Sequence, residues 1–133
     1  MIVDSSAIVA IVLREPGHES LEEKLAEAVA PRIGAPTLVE VGVVLTAKLG
    51  GRGRLVLARF LQDNHITTIP FTEEHSEAAI DAFGQFGKGR HPARLNLGDC
   101  YSYATATIAR EPLLYIGDDF PHTDLPLVEL GES

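Results

Sequence analysis

Met1-Ile-Val-Asp4-Ser-Ser-Ala7-Ile-Val-Ala-Ile-Val-Leu13 opens the chain with two β-branched residues, a carboxylate, two hydroxyls and an unbroken apolar run. The pattern predicts a strand ending at Asp4, a sharp turn, and a helix whose first turn is capped by short polar side chains. No basic leader precedes the carboxylate, so the stretch reads as a strand rather than a targeting segment. Its apolar character ends at Arg14, far short of the roughly 20 residues needed to cross a bilayer, so no membrane association is expected. A strand passing directly into a helix is half of a βαβ unit, and repetition of that alternation downstream decides the fold.

The alternation does repeat. Glu19 to Ala30 places Leu21, Leu25, Ala28 and Val29 at helical spacing between acids. Pro31 to Pro36 is a break with room for a short strand near Ile33, and Thr37 then opens an apolar helix reaching about Leu49 before Gly50-Gly51. Gly53 to Asn64 reads as helix, Ile66 to Phe71 as strand and Glu73 to Phe86 as helix. Gly84 to Leu97 is a glycine-rich cationic loop, Gly98 to Arg110 a helix, Leu113 to Ile116 a strand, and Leu127 to Leu130 an edge strand beyond the acidic turns of Gly117 to Pro126. The expected fold is α/β with a mainly parallel central sheet.

The 133 residues, 45% of them hydrophobic, suffice for one core, and a single domain over residues 1–133 is expected. Cys100 is the only cysteine, so no intrachain disulfide can form, and a cytoplasmic location is the default expectation. The net charge of −8 weighs against nucleic-acid binding by bulk electrostatics. Its distribution weighs the other way: Lys88, Arg90, His91 and Arg94 form a stretch without acids, as do the four cations from Lys48 to Arg59.

Asp4, at the end of the first strand, and Asp118 and Asp119, just past Leu113 to Ile116, fall on the carboxyl edge of a parallel sheet, where α/β proteins bind ligands. Glu40 and Asp99 fall at helix starts, where the dipole favours negative charge. Each has an ordinary explanation, since Thr37-x-x-Glu40 matches a capping box and Asn96-x-x-Asp99 approximates one. Converging on one edge at about 5 Å, each pair of carboxylates would repel by roughly 3 kcal/mol at an effective dielectric near 20. Such a group calls for a cation, and all-oxygen ligands select a hard one, Mg²⁺ or Mn²⁺; the Cys and His spacing of a zinc site is absent. Carboxylate-held Mg²⁺ suits phosphodiester hydrolysis and needs no histidine base. The five histidines form no constellation and read mostly as surface residues, while Cys100 reads as a small buried apolar residue.

Four segments resemble the PIN-domain ribonucleases, and within them the VapC toxins of toxin–antitoxin pairs: M-I-V-D-S-S-A, T-L-V-E, G-K-G-R-H-P-A-R-L-N-L-G-D-C-Y-S-Y-A and P-L-L-Y-I-G-D-D-F-P-H-T-D-L. The resemblance implies a three-layer α/β/α fold and a Mg²⁺-dependent endoribonuclease, with Asp4, Glu40, Asp99 and Asp119 as metal-site acids and Asp118 as the alternate to Asp119. It places Ser6 close to the metal and Asp124 behind the ligands. It further implies single-stranded or loop RNA as substrate, a homodimer, and a VapB-like antitoxin whose C-terminal segment covers the active site. Lys88, Arg90 and Arg94 are the candidate RNA-phosphate contacts. The competing readings are a metal-dependent nuclease acting on DNA and a non-catalytic acidic α/β interaction module.

Overall fold

A computed structural model describes residues 1–131. Four short parallel strands, β1 (Ile2–Val3), β2 (Arg32–Gly34), β3 (Thr67–Ile69) and β4 (Leu113–Leu114), form one sheet in the order β3-β2-β1-β4. Six helices connect and cover them: α1 (Ser5–Val12), α2 (His18–Glu27), α3 (Ala35–Leu49), α4 (Gly53–Asp63), α5 (Glu73–Phe86) and α6 (Leu97–Ala109). Consecutive strand residues point to opposite faces of a sheet. Ile2 and Leu113 accordingly pack with α5 and α6, whereas Val3, Ile33 and Leu114 pack with α1 to α4. The result is the expected three-layer α/β/α arrangement, with β1 inside the sheet, β4 next to it and their carboxyl ends side by side.

Several boundaries differ from the sequence reading, each for a local reason. Helix α2 stops at Glu27 because Ala28 takes extended backbone, which leaves Val29 in solvent. Helix α3 starts at Ala35, capped by Gly34 with Pro36 in the first turn, where a missing N–H costs nothing. Thr37 is therefore already inside the helix, and Thr37-x-x-Glu40 is not a capping box. The strand expected over Ile66 to Phe71 is confined to Thr67–Ile69 ahead of Pro70, and that over Leu113 to Ile116 to its first two residues. The edge strand expected over Leu127 to Leu130 reduces to one bridge, Leu127 to Leu113, because the short β4 offers no further ladder to pair with.

Helices α3 and α4 meet closely at Gly53, where a β-carbon would lie 2.7 Å from the Leu45 carbonyl carbon. Backbone cannot yield as a side-chain tip can. Gly53→Ala should therefore lower stability by about 1–3 kcal/mol through overpacking, read as a lower urea midpoint with an unchanged m-value. A midpoint equal to wild type would show that the two helices separate freely.

Candidate active site

Asp4 follows β1 and caps α1 with extended backbone. Its Oδ2 accepts from the Ser6 backbone N–H at 3.1 Å and from Ser6 Oγ at 2.6 Å, while its Oδ1 accepts from Ser102 Oγ. Ser6 Oγ in turn accepts from the Ile116 backbone N–H at 3.1 Å, tying the residues after β4 to the start of α1. Asp4 is only 3% exposed, yet both of its oxygens have donors, which meets the requirement that a buried polar group be hydrogen-bonded.

Glu40 lies in the second turn of α3, not the first, because the helix begins at Ala35. Its carboxylate packs on the backbone of α6 at Gly98, where a β-carbon would stand 2.4 Å from Glu40 Oε2. Glu40 Oε1 is buried without a hydrogen-bond partner among the described residues. Burial raises the Glu40 pKa above the ordinary carboxylate value and the charge of Asp4 adds to the rise, against an opposing hydrogen bond from Ser5.

Asp99 completes a true capping box on α6: its N–H donates to Asn96 Oδ1 at 2.8 Å, and its Oδ2 accepts from the Asn96 N–H at 3.2 Å. Capping and membership of the acidic group are therefore not alternatives for this residue. Its pKa is pushed up to about 7, first by burial and then by a hydrogen bond with Asp119 and the charges of Asp4 and Asp119, against the lowering contact from Asn96. Asp119 is half-buried and immediately precedes the buried Phe120, whereas Asp118 is exposed and lies near the Tyr115 ring. Of the two aspartates, the structure brings Asp119 to Asp99.

Because the folded state raises this pKa above the unfolded value near 3.8, folding favours neutral Asp99, and stability falls as pH rises from about 4 to about 7. Melting temperatures in EDTA should show that decline for wild type and a flatter profile for Asp99→Asn. Parallel profiles for the two proteins would contradict the assignment.

Asp4, Glu40, Asp99 and Asp119 thus sense one another across the junction of β1, α3, α6 and the segment after β4. Among the described residues no three acid, His or Cys side chains are drawn into closed metal-binding geometry. The chemistry of the group is therefore the guide to its ligand. That chemistry fits a hard divalent cation: every donor is a carboxylate oxygen, one buried oxygen has no partner, and two of the carboxyls have pKa values raised by burial and neighbouring charge.

The remaining sequence candidates divide. Lys88, Arg90 and Arg94 are all exposed on the segment between α5 and α6, and none takes part in the ion pairs among the described residues. That segment is fastened at its base, where the Lys88 N–H donates to Leu95 O and the Leu95 N–H to Phe86 O, each at 2.9 Å. His91 serves this loop, accepting from the Ala93 N–H at 3.0 Å and packing edge-on against Phe86. Asp124 is not brought to the acids: it accepts from Tyr103 Oη at 2.5 Å and lines a shallow pocket with Thr107 and Arg110, toward the opposite end of α6 from Asp99. His75 is an exception to the mostly surface placement expected of the histidines: it is buried and caps α5 through Thr72. Cys100 is buried beside Asp99 with its thiol pushed up to about 11, which removes it as a nucleophile.

Two residues at the site were not singled out from the sequence, Gly98, whose missing side chain makes room for Glu40, and the buried Ser102, while Thr37, expected as a cap, is instead a buried hydroxyl inside α3. The available signal was spacing, since Ser102 follows Asp99 by one helical turn and Thr37 precedes Glu40 by one.

The PIN domain family model matches residues 1–125. Ribonuclease VapC36 of Mycobacterium tuberculosis is 47% identical over 126 residues, covering 94% of this chain and 91% of that protein. Ribonuclease VapC42 of the same species is 43% identical over 126 residues, covering 94% and 96%. The crystal structure of Mycobacterium tuberculosis VapC20, described as a Sarcin-Ricin loop cleaving toxin, superposes with a TM-score of 0.77 at 18% identity, covering 96% of this chain and 97% of that one. VapBC2 from Rickettsia felis, bound to a DNA fragment from its promoter, gives a TM-score of 0.76 at 14% identity, covering 98% of each chain. With four strands in the family's three-layer order and relatives matched along nearly their whole length, the chain belongs to the PIN domain family and, within it, to the VapC ribonucleases.

Proposed function

We propose that the protein is a Mg²⁺-dependent endoribonuclease, with Mn²⁺ as a possible substitute, acting in the cytoplasm as the toxin of a toxin–antitoxin pair. The observation that carries this reading is the meeting of Asp4, Glu40, Asp99 and Asp119 at the carboxyl edge of the sheet, with Glu40 Oε1 buried and unpartnered. Asp4, fixed by Ser6 and Ser102, and Asp99 with Asp119 hold the cation; Glu40 offers its unpartnered oxygen to the cation or to a water. When bound, such a cation supplies a lowered pKa for water and compensation of charge on the phosphoryl group. Lys88, Arg90 and Arg94 hold the flanking phosphates of single-stranded or loop RNA, positioning the chain without reading its sequence.

An antitoxin of the VapB kind and a second copy of the chain are the proposed partners, in keeping with the toxin–antitoxin complexes among its structural neighbours. A groove along α3 and α4, edged by exposed Val39 and Val43, offers an apolar surface for an antitoxin segment.

The test is incubation of the purified protein with a set of structured RNAs, with sequence-matched single-stranded DNA alongside, in Mg²⁺ or in excess EDTA. Internal RNA cuts that need Mg²⁺, with intact DNA, are expected. Cleavage that persists in EDTA, equal cleavage of DNA, or no cleavage of any RNA would contradict the proposal.

A further inference from the structure

We infer that Ser102, backed by Thr37, is a positioning residue that fixes the Asp4 carboxylate for its cation; the inference rests on the reading of Asp4 as a cation ligand. Ser102 and Thr37 are each 1% exposed. A hydroxyl in such a place costs free energy unless it is hydrogen-bonded, and alanine or valine would fill the same space without that demand. The use of each hydroxyl therefore bears on function.

Serine and threonine inside helices commonly bond back to the carbonyl one turn earlier. Thr105 does this on α6, donating to Tyr101 O at 2.9 Å. Ser102, on the same helix, instead donates to Asp4 Oδ1, across 98 residues of sequence. Thr37 Oγ1 lies 3.4 Å from Ser102 Oγ. Since the Ser102 proton is directed to Asp4, Thr37 is the donor of that contact, and the order is Thr37 to Ser102 to Asp4.

The terminal torsion of an aspartate is broad, so a carboxylate held at one oxygen can still turn. Ser6 holds only Oδ2; Ser102 is the side chain that holds Oδ1. Together they set the plane of the carboxylate and leave its remaining lone pairs in one direction. The pair is also placed to relate the other acids, because Ser102 lies one turn after Asp99 on α6 and Thr37 one turn before Glu40 on α3. One contact between hydroxyls thus joins the two helices that carry Glu40 and Asp99, at the residue that orients Asp4. Supporting groups of this kind typically change metal affinity by about 10- to 100-fold when removed.

The experiment measures Mn²⁺ affinity by electron paramagnetic resonance, and separately the melting temperature in EDTA, for wild type, Ser102→Ala, Thr37→Val and Asp4→Asn. Ser102→Ala should bind Mn²⁺ about tenfold more weakly or worse. Thr37→Val should shift affinity the same way by less, and Asp4→Asn by more. Cleavage by Ser102→Ala should recover when Mn²⁺ is raised to saturation, with the KM for RNA unchanged. A purely structural role for Ser102 would lower the melting temperature in EDTA and leave Mn²⁺ affinity at the wild-type value, and that result overturns the inference. Wild-type affinity in Asp4→Asn would instead overturn the underlying reading of Asp4. If Ser102→Ala does not fold, Ser102→Cys, of similar shape and weaker as a donor, is measured in its place, and wild-type affinity there also overturns the inference.

Discussion

Asp4→Asn is expected to lose about a thousandfold or more of the Mg²⁺-dependent RNA cleavage while keeping its fold. The loss follows from removing one full charge at the residue with the most fixed orientation in the acidic group, and electrostatic contributions of this kind are worth several kcal/mol in the transition state. Retention of the fold follows from the side chain's other role. Asp4 caps α1 by accepting from the Ser6 N–H, and asparagine caps as well as aspartate. Single-turnover cleavage together with thermal melting separates the two effects. Activity within tenfold of wild type would mean that Asp4 is only a cap.

Gly98→Ala carries the second large effect, and its sign differs between stability and activity. Alanine is favoured over glycine by up to about 1 kcal/mol in a helix interior and by less in the first turn, where Gly98 lies, so α6 itself gains a little. The new β-carbon, however, would stand 2.4 Å from Glu40 Oε2 and 2.9 Å from Glu40 Cδ. These atoms are the end of a flexible side chain, so the carboxylate swings away and the backbone stays. A protein as stable as wild type or more so is expected, with cleavage reduced by about 100-fold, the scale of an ångström-sized misplacement of a catalytic group. Unchanged cleavage would show that the position of Glu40 does not matter, and a large loss of stability would show that the helices had moved instead.

Much of this site was readable in the sequence because its acids sit where the fold rules place them. A short apolar strand running into a helix fixes Asp4 at a sheet edge, and a lone Glu40 in an apolar run has to be held by something. What could not be read depends on turns and on long-range partners. Asp118 and Asp119 are neighbours of identical chemistry, and the choice between them comes from the turn that buries Phe120 and takes Asp119 inward. Asp124 has the composition of a site residue, but Tyr103, 21 residues earlier, takes its carboxylate. Ser102 gave only the signal of its spacing from Asp99, because a serine inside a helix is neutral in propensity, and its partner Asp4, just past β1, is what distinguishes it. His75 escaped because histidine is an unusual N3 residue for a capping box, where Glu or Gln is the rule.

The claim on which the account depends is that the carboxylates gather around a cation rather than serving as caps and surface charge. Asp99→Asn tests it with little structural cost, since asparagine can still accept from the Asn96 N–H and preserve the cap of α6. The decisive measurement is the melting temperature of wild type and Asp99→Asn at pH 8, where Asp99 is ionised, first in EDTA and then in Mg²⁺. The account predicts that the variant melts higher than wild type in EDTA, because one repelling charge is gone, and that Mg²⁺ stabilises wild type more than the variant. A variant that melts lower in EDTA and gains the same stabilisation from Mg²⁺ as wild type would contradict it.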